Sequence, residues 1–173
     1  SYSYAANRPA ADALAAGQVA IETFTVTIRD AAGATATSTL SFTITGANDR
    51  PVAIADTGSA SKGAAEPASG RLLANDSDPD AGDVLTVLAY TQGSASADVG
   101  QPLAGRYGTL TVAADGTYRY VLDAANPAVI ALDSNQTLTE TFGYRAGDGH
   151  GGLALSSLTL TIFGRNAPPS GSD

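Results

Sequence analysis

The chain contains no cysteine, no methionine, no tryptophan and a single lysine, Lys62. Without cysteine, disulfides cannot hold the fold, and thiol catalysis and thiolate zinc sites are excluded. That absence fits a bacterial surface protein stabilised by other means and a cytosolic protein equally, so it does not decide the compartment. Aromatic residues make up only 6% against a hydrophobic fraction of 43%, so a core has to come from Val, Leu, Ile and Ala with a few Tyr and Phe. No apolar run reaches the length of a membrane-spanning helix, and membrane insertion is not expected. No basic stretch followed by an apolar one opens the chain, so no secretory leader is visible, as expected of an excerpt from inside a longer protein. No Gly-Lys-Ser/Thr sequence is present to cradle a phosphate, and no basic amphipathic helix to lie on a membrane. His150 is the only histidine. A Ser-His-Asp triad or a histidine zinc site needs partners the sequence does not supply, and enzymatic activity is not expected.

Basic residues are scarce as well: nine against seventeen acidic ones, for a net charge of -8. Such a surface repels a polyanion, which argues against nucleic acid as a partner. The acids are unevenly chosen. Three are Glu (Glu22, Glu66 and Glu140) and the other fourteen are Asp. Short carboxylates suit turns and rigid oxygen cages for hard cations, whereas the long side chain of Glu suits helices.

What the chain does have is an internal repeat. Residues 22–51, ETFTVTIRDAAGATATSTLSFTITGANDRP, align without a gap to residues 140–169, ETFGYRAGDGHGGLALSSLTLTIFGRNAPP, with 13 of 30 positions identical at an offset of 118. SYSY at 1–4 mirrors TYRY at 117–120, with a two-residue length change between. The chain therefore divides into the C-terminal part of one repeat (1–49), a complete repeat (50–169) and a short tail (170–173). Phe24, Val26 and Ile28 alternate with Thr, Leu40, Phe42 and Ile44 with Ser41, Thr43 and Thr45, and Leu158, Leu160 and Ile162 repeat the pattern. Period two with Thr on the solvent side is the pattern of a half-buried antiparallel strand. Asp115-Gly116 and Asp148-Gly149 fall where hairpin turns are expected, and residues 123–133 read as a loop or short helical turn. Many short strands per repeat predict an all-β fold, an immunoglobulin- or cadherin-like antiparallel β-sandwich in tandem repeats.

LLANDSDPDAGDVLTV, then GTLTVAADGTYRYVLD, ETFGYRAGDGHGG and LTLTIFGRNAPP, in that order, resemble the VCBS or cadherin-like tandem repeat of large bacterial surface adhesins exported by type I secretion, often alongside RTX sequences. The resemblance covers nearly the whole chain. It implies a secreted module at the bacterial cell surface, an extender repeat supporting cell adhesion or biofilm formation. The implied partners are neighbouring repeats of the same polypeptide and a host or bacterial surface ligand, and the implied cofactor is Ca2+.

The candidate metal loop is Asn75-Asp76-Ser77-Asp78-Pro79-Asp80-Ala81-Gly82-Asp83. Four carboxylates within eight residues repel one another unless a cation neutralises them, and calcium takes six to eight oxygens on an adaptable scaffold. The loop is not an EF-hand, because the twelfth position from Asp76 is Val87 rather than Glu. The other reading is a solvated Asx-rich turn. With strand B at 71–76 and strand C at 84–89, the loop joins B to C, and Asp148 lies on the F–G hairpin. In an immunoglobulin-type sandwich both loops lie at the end where the linker Gly46–Pro51 enters. Asp49, Asp76, Asp78, Asp80 and Asp148 are then candidates for one junction site, with Asp56 as a further ligand; alternatively Asn48-Asp49 and Asp148 only shape turns. The second linker keeps Asn166 but has Ala167 where the first has Asp49, which puts a metal at that junction in doubt.

GDGHGG at 147–152 is similar to the nonapeptide of RTX β-rolls but occurs once, and it reads as a hairpin turn with His150 exposed. Glu22 and Glu140 occupy one place in two repeats and read as structural residues at strand edges. Lys62 is the one residue able to form an isopeptide bond to an Asp or Asn. The rival to an extender is a carbohydrate- or protein-ligand-binding β-sandwich. Sugar platforms use exposed Trp or Tyr. Tyr2, Tyr4, Tyr118 and Tyr120 alternate like core residues, leaving Tyr90, Tyr107 and Tyr144 for that role. Residues 1–49 supply only part of a sandwich. They are expected to pack on the complete repeat or on a partner chain, including through a strand-mediated dimer.

Overall fold

A computed structural model describes residues 2–6 and 9–165. The tail 170–173 and the linker with Asn166 and Ala167 lie outside the described residues. The chain forms two compact units: residues 1–49 with the loop segment 79–83, and residues 50–78 with 84 onward. The first contains helix α1 (Pro9–Asp12) and strands β1 (Val19–Arg29) and β2 (Thr35–Thr45), paired as an antiparallel hairpin. The second contains β3 (Asp56–Ser61), β4 (Ala68–Arg71), β5 (Thr86–Gln92), β6 (Ala95–Asp98), β7 (Leu103–Ala104), β8 (Gly108–Val112), β9 (Thr117–Leu122), helix α2 (Pro127–Ile130), β10 (Thr137–Gly147) and β11 (Leu153–Phe163). Among the described residues, apart from two short helices and one 3-10 turn, the regular structure is all β, as the period-two pattern predicts.

The strands of the second unit form two sheets, one in the order β3-β11-β10-β5-β6 and the other β4-β9-β8-β7. Side chains that alternate along each strand place one face inside. On β10 these are Glu140, Phe142, Tyr144 and Ala146, on β11 Leu158, Leu160 and Ile162, and on β8 and β9 Leu110, Val112, Tyr118 and Tyr120. The pleat sends the intervening Thr residues outward. Most strand pairs are antiparallel. β3 runs parallel to β11, with Asp56 beside Leu158 and Ser61 beside Phe163. A periodicity has no directional content, so the sequence did not distinguish this pair.

Two strand boundaries differ from the sequence reading. The strand expected over 71–76 ends at Arg71 and gives way to a 3-10 turn, Leu72–Ala74. Its partner β9 begins at Thr117, opposite Arg71, so beyond that point the ladder has nothing to pair with. The strand expected over 84–89 is β5, Thr86–Gln92, which extends because β6 pairs with it through Gln92.

The turn between β8 and β9 depends on Gly116, whose φ of 80° is in the left-handed region and whose N–H meets Ala113 O at 3.0 Å. A Cβ there would sit 2.7 Å from Leu73 Cγ. Replacing Gly116 by Ala should therefore destabilise the chain by about 1–3 kcal/mol, from backbone strain and the clash together. Chemical denaturation checks this, and a loss within experimental error would show that the turn has another conformation.

The repeat in the sequence is also a repeat in structure. Shifting by 118 carries the bounds of α1, β1 and β2 onto those of α2, β10 and β11 without adjustment. The register follows: Phe24 faces Leu40 as Phe142 faces Leu158. Tyr4 donates its hydroxyl to Glu22, and Tyr120 donates to Glu140. Tyr4 meets Phe24 edge-on at 6.1 Å, and Tyr120 meets Phe142 at 6.2 Å. Burial differs between the copies. Tyr118 and Tyr120 are core, as expected, but Tyr2 is 73% exposed and Tyr4 is half-buried against Phe42. The first unit lacks the second sheet that covers the corresponding rings in the second.

Candidate metal centre

The Asp-rich segment leaves β4 through the 3-10 turn and returns to the opposite sheet as β5. Such a loop spans the edge of a sandwich, where the β10–β11 hairpin also turns. Asp148 lies in that hairpin. Its side chain is 3% exposed, and its Oδ1 accepts the N–H groups of His150 (2.7 Å) and Gly152 (3.0 Å). Asp30 repeats this in the first hairpin by accepting from Ala34 N at 2.8 Å. Asp148 is thus a turn-shaping residue, and it has a second association. One carboxylate oxygen from each of Asp78, Asp83 and Asp148 lies within 4.8 Å of the others.

Three ionised carboxylates at this spacing repel by roughly 3 kcal/mol per pair at an effective dielectric near 20, less where solvent screens Asp78 and Asp83. A divalent cation converts that repulsion into ligation. The donors are all hard oxygens with no nitrogen or sulfur among them, which is the set that suits calcium or magnesium rather than zinc. The residues present therefore fit a calcium ion.

A second acidic group is built on Tyr144. Its hydroxyl lies 3.0 Å from Asp56 Oδ2 and 3.0 Å from Asp76 Oδ2. Asp76 Oδ1 accepts the N–H of Ile54 at 2.7 Å, and the Asn75 amide, with its nitrogen turned inward, donates to Asp56 Oδ1 at 3.1 Å. A single hydroxyl proton cannot serve two carboxylates at once. The Asp56 carboxyl is held above the usual range, chiefly by burial and also by the charge of Asp76, against the opposing hydrogen bonds from Tyr144 and Asn75. The Tyr144 hydroxyl is pushed up chiefly by burial and also by these two carboxylates, against the opposing hydrogen bond with Ser156. A third association lies in the first unit, where Asp80, 2% exposed, accepts the Asp49 N–H through Oδ2 at 2.7 Å.

The residues singled out in the sequence thus fall into three groups: Asp78, Asp83 and Asp148; Asp56, Asp76 and Asn75; Asp49 and Asp80. Among the described residues, the first is the group of three acidic side chains with the spacing of a shared ion. The sequence offers Tyr144 only as a sugar platform, yet it is 3% exposed and meets the carboxylates of Asp56 and Asp76. The available signal was a Tyr where the first repeat has Val26. Glu140 has the structural role that the sequence reading gives it, and it is buried. It is 5% exposed and accepts from the Tyr120 hydroxyl, Gln92 Nε2 (3.1 Å) and Arg106 N (2.7 Å). Lys62 Nζ donates to the carbonyls of Ile130 (2.5 Å) and Leu132 (3.1 Å), closing off α2. His150 is exposed, as expected.

The sequence profile of the bacterial cadherin-like domain matches residues 48–164. The chain belongs to this family. The matched span takes in every member of the three carboxylate groups. Among individual relatives of this cadherin-like chain, the calcium-binding lectin RapA2 of Rhizobium johnstonii is 37% identical over 100 residues, which are 56% of this chain and 41% of the relative. The chain thus spans less than half the length of that protein. Two solved structures have a distantly similar backbone. One is protocadherin gamma B2, extracellular cadherin domains 1–5 (13% identity, TM-score 0.48, covering 87% of this chain and 27% of that one). The other is mouse cadherin-23, EC22–24 (13% identity, TM-score 0.45, covering 86% and 43%). Among the described residues, no helix is long and apolar enough to cross a membrane.

Proposed function

We propose that this cadherin-like chain is a calcium-stabilised extender segment of a secreted bacterial adhesin, placed outside the cell or on its surface. In this reading residues 1–49 are the end of one repeat and residues 50–169 the next. The observation that carries it is the convergence of Asp78, Asp83 and Asp148. Calcium bound there ties the loop after β4 to the β10–β11 hairpin, and Asp49, Asp56, Asp76 and Asp80 are further candidate ligands. The role is mechanical, not catalytic. Without the ion, like charges push the two loops apart and the joint loosens; with it, successive repeats stand as a stiffer rod that carries an adhesive partner away from the cell. The relative named as a calcium-binding lectin supports the choice of ion.

Titration calorimetry of calcium into chelator-treated chain tests this directly. Saturable heat is expected, and it should fall at least tenfold in affinity for Asp78→Asn combined with Asp83→Asn. No heat with the native sequence, or unchanged affinity in the double variant, would remove the metal from this site.

The same relative's name favours a second reading, a carbohydrate-binding sandwich. Against it, Tyr90, Tyr107 and Tyr144 are 0%, 7% and 3% exposed and closed to a sugar ring, which among the described residues leaves Tyr2, 73% exposed, as the open tyrosine. A glycan array discriminates between the two, since only the second reading predicts calcium-dependent capture of a defined sugar.

A further inference from the structure

Asn-x-Ser/Thr occurs at two places in the chain, Asn75-Asp76-Ser77 and Asn135-Gln136-Thr137. Such a tripeptide accepts an N-linked sugar when it lies on a surface turn of an exported protein. The fold treats the two differently. The Asn75 amide, with its nitrogen turned inward, donates to Asp56 Oδ1 at 3.1 Å and to Leu72 O at 3.2 Å. Ser77 is held in a backbone bridge with Val52. Asn135 is exposed in the turn between α2 and β10, and Asp133, Ser134, Gln136 and Thr137 around it are exposed as well.

The first copy of the repeat shows that the turn itself does not require these residues. Shifting by 118 places Ala15, Gly17 and Val19 where the second copy has Asp133, Asn135 and Thr137. Both turns close alike. Gln136 N donates to Asp133 O at 2.9 Å, as Gln18 N donates to Ala15 O at 2.9 Å. Gln136 Oε1 accepts Asp133 N at 3.1 Å, as Gln18 Oε1 accepts Ala15 N at 3.3 Å. Gly164 N meets Gln136 O at 3.0 Å, as Gly46 N meets Gln18 O at 2.8 Å. The side chain that closes the turn is Gln in each copy. Asn is also common in turns because it tolerates a positive φ. Among the described residues positive φ is confined to glycines, Gly17 being one, so that reason does not apply to Asn135. The second copy thus carries an Asp, an Asn and a Thr, at alternate positions, that the turn can do without.

We infer that Asn135 is an acceptor site for an N-linked sugar. The inference rests on reading the chain as an exported module. The donor is a sugar activated by a diphosphate leaving group. Asn135 Nδ2 attacks C1 of that sugar, a C1–N bond replaces the C1–O bond, the diphosphate leaves with the electron pair, and one amide proton passes to a base of the transferase. Thr137 supplies the hydroxyl of the acceptor sequence, and Asp133 adds a carboxylate for a basic group of the transferase to hold.

Peptide mass spectrometry of the full chain, recovered from the cells that make it and from their medium, tests this. Trypsin cuts after Arg71, Arg106, Arg119 and Arg145, so peptide 120–145 carries Asn135 and peptide 72–106 carries Asn75. A fraction of peptide 120–145 should be heavier by at least one hexose or N-acetylhexosamine, with fragment ions placing the sugar on Asn135, and peptide 72–106 should be bare. Asn135→Gln and Thr137→Ala should each abolish the heavier form, and Thr137→Ser should retain it. All three variants should melt with the unglycosylated native chain, since the first copy closes the same turn without Asn or Thr. Sugar on Ser134 or Thr137 instead of Asn135, or on Asn75 alone, would overturn the inference. Bare peptide 120–145 in chain recovered from the medium would sink the modification and leave the extender reading standing, whereas bare chain retained inside the cells would overturn both.

Discussion

Replacing Glu140 by alanine should cost about 3–5 kcal/mol of unfolding free energy, a large part of the stability of a domain this size. The carboxylate lies between the two sheets. Oε1 takes the hydroxyl of Tyr120 on β9, and Oε2 takes Gln92 on β5 and the backbone N–H of Arg106. Truncation leaves three donors without an acceptor, each worth roughly 1–3 kcal/mol when buried, and opens a void beside Phe142. Relief of the cost of burying a charge offsets part of the loss. Tyr120→Phe removes one of these hydrogen bonds and should cost about 1–2 kcal/mol, and the double variant should lose less than the two single losses added together. Denaturant unfolding with unchanged m-values is the measurement. A loss below about 1 kcal/mol for Glu140→Ala would mean that water enters to replace the carboxylate.

Removing calcium should have the other large effect. A ligand that binds only the folded state stabilises by roughly 3–4 kcal/mol at several hundred times its Kd. For a domain of this size that is on the order of 10 °C in Tm. Thermal unfolding with excess calcium and again with excess chelator should differ by that amount, and the shift should grow with calcium concentration. Asp78→Asn with Asp83→Asn should abolish the shift. It should also raise the Tm of the chelated chain, because two of the three mutually repelling charges are gone. Identical melting with and without calcium would leave the Asp-rich segment as an ordinary turn. A double variant less stable than the native chain in chelator would show that these carboxylates serve the fold directly.

Much of this architecture was legible from residues 1 to 173. Period-two alternation marks β1, β2, β9 and β11, because a pleated strand half in water must alternate. The identity between 22–51 and 140–169 anticipated two hairpins of one register, because the same pattern of large and small side chains closes on itself in the same way. Gly46 and Gly164, identical in both copies, mark where the chain crosses the carbonyls of Leu14 and Asp133 too closely for a Cβ. The concentration of Asp between 76 and 83 marked the candidate site.

Other features depend on residues far apart in sequence. The parallel placement of β3 follows from which edge of β11 is open, and the end of β4 from where β9 turns. From the sequence Glu140 reads only as a structural residue at a strand edge, between Thr139 and Thr141. Burial came from Tyr120, Gln92 and Arg106, twenty or more residues away. The acids divide in the same way. Sequence spacing grouped Asp76, Asp78, Asp80 and Asp83 by proximity along one loop, whereas the folded chain turns Asp76 to Asp56 and Tyr144, Asp80 to Asp49, and Asp78 and Asp83 to Asp148. By itself the sequence determined the strand pattern, the repeat and the acidic loop, since these depend on local periodicity and composition. Only the tertiary structure decided which carboxylates lie together, because successive loop side chains point in different directions and each meets whatever the rest of the fold brings to it.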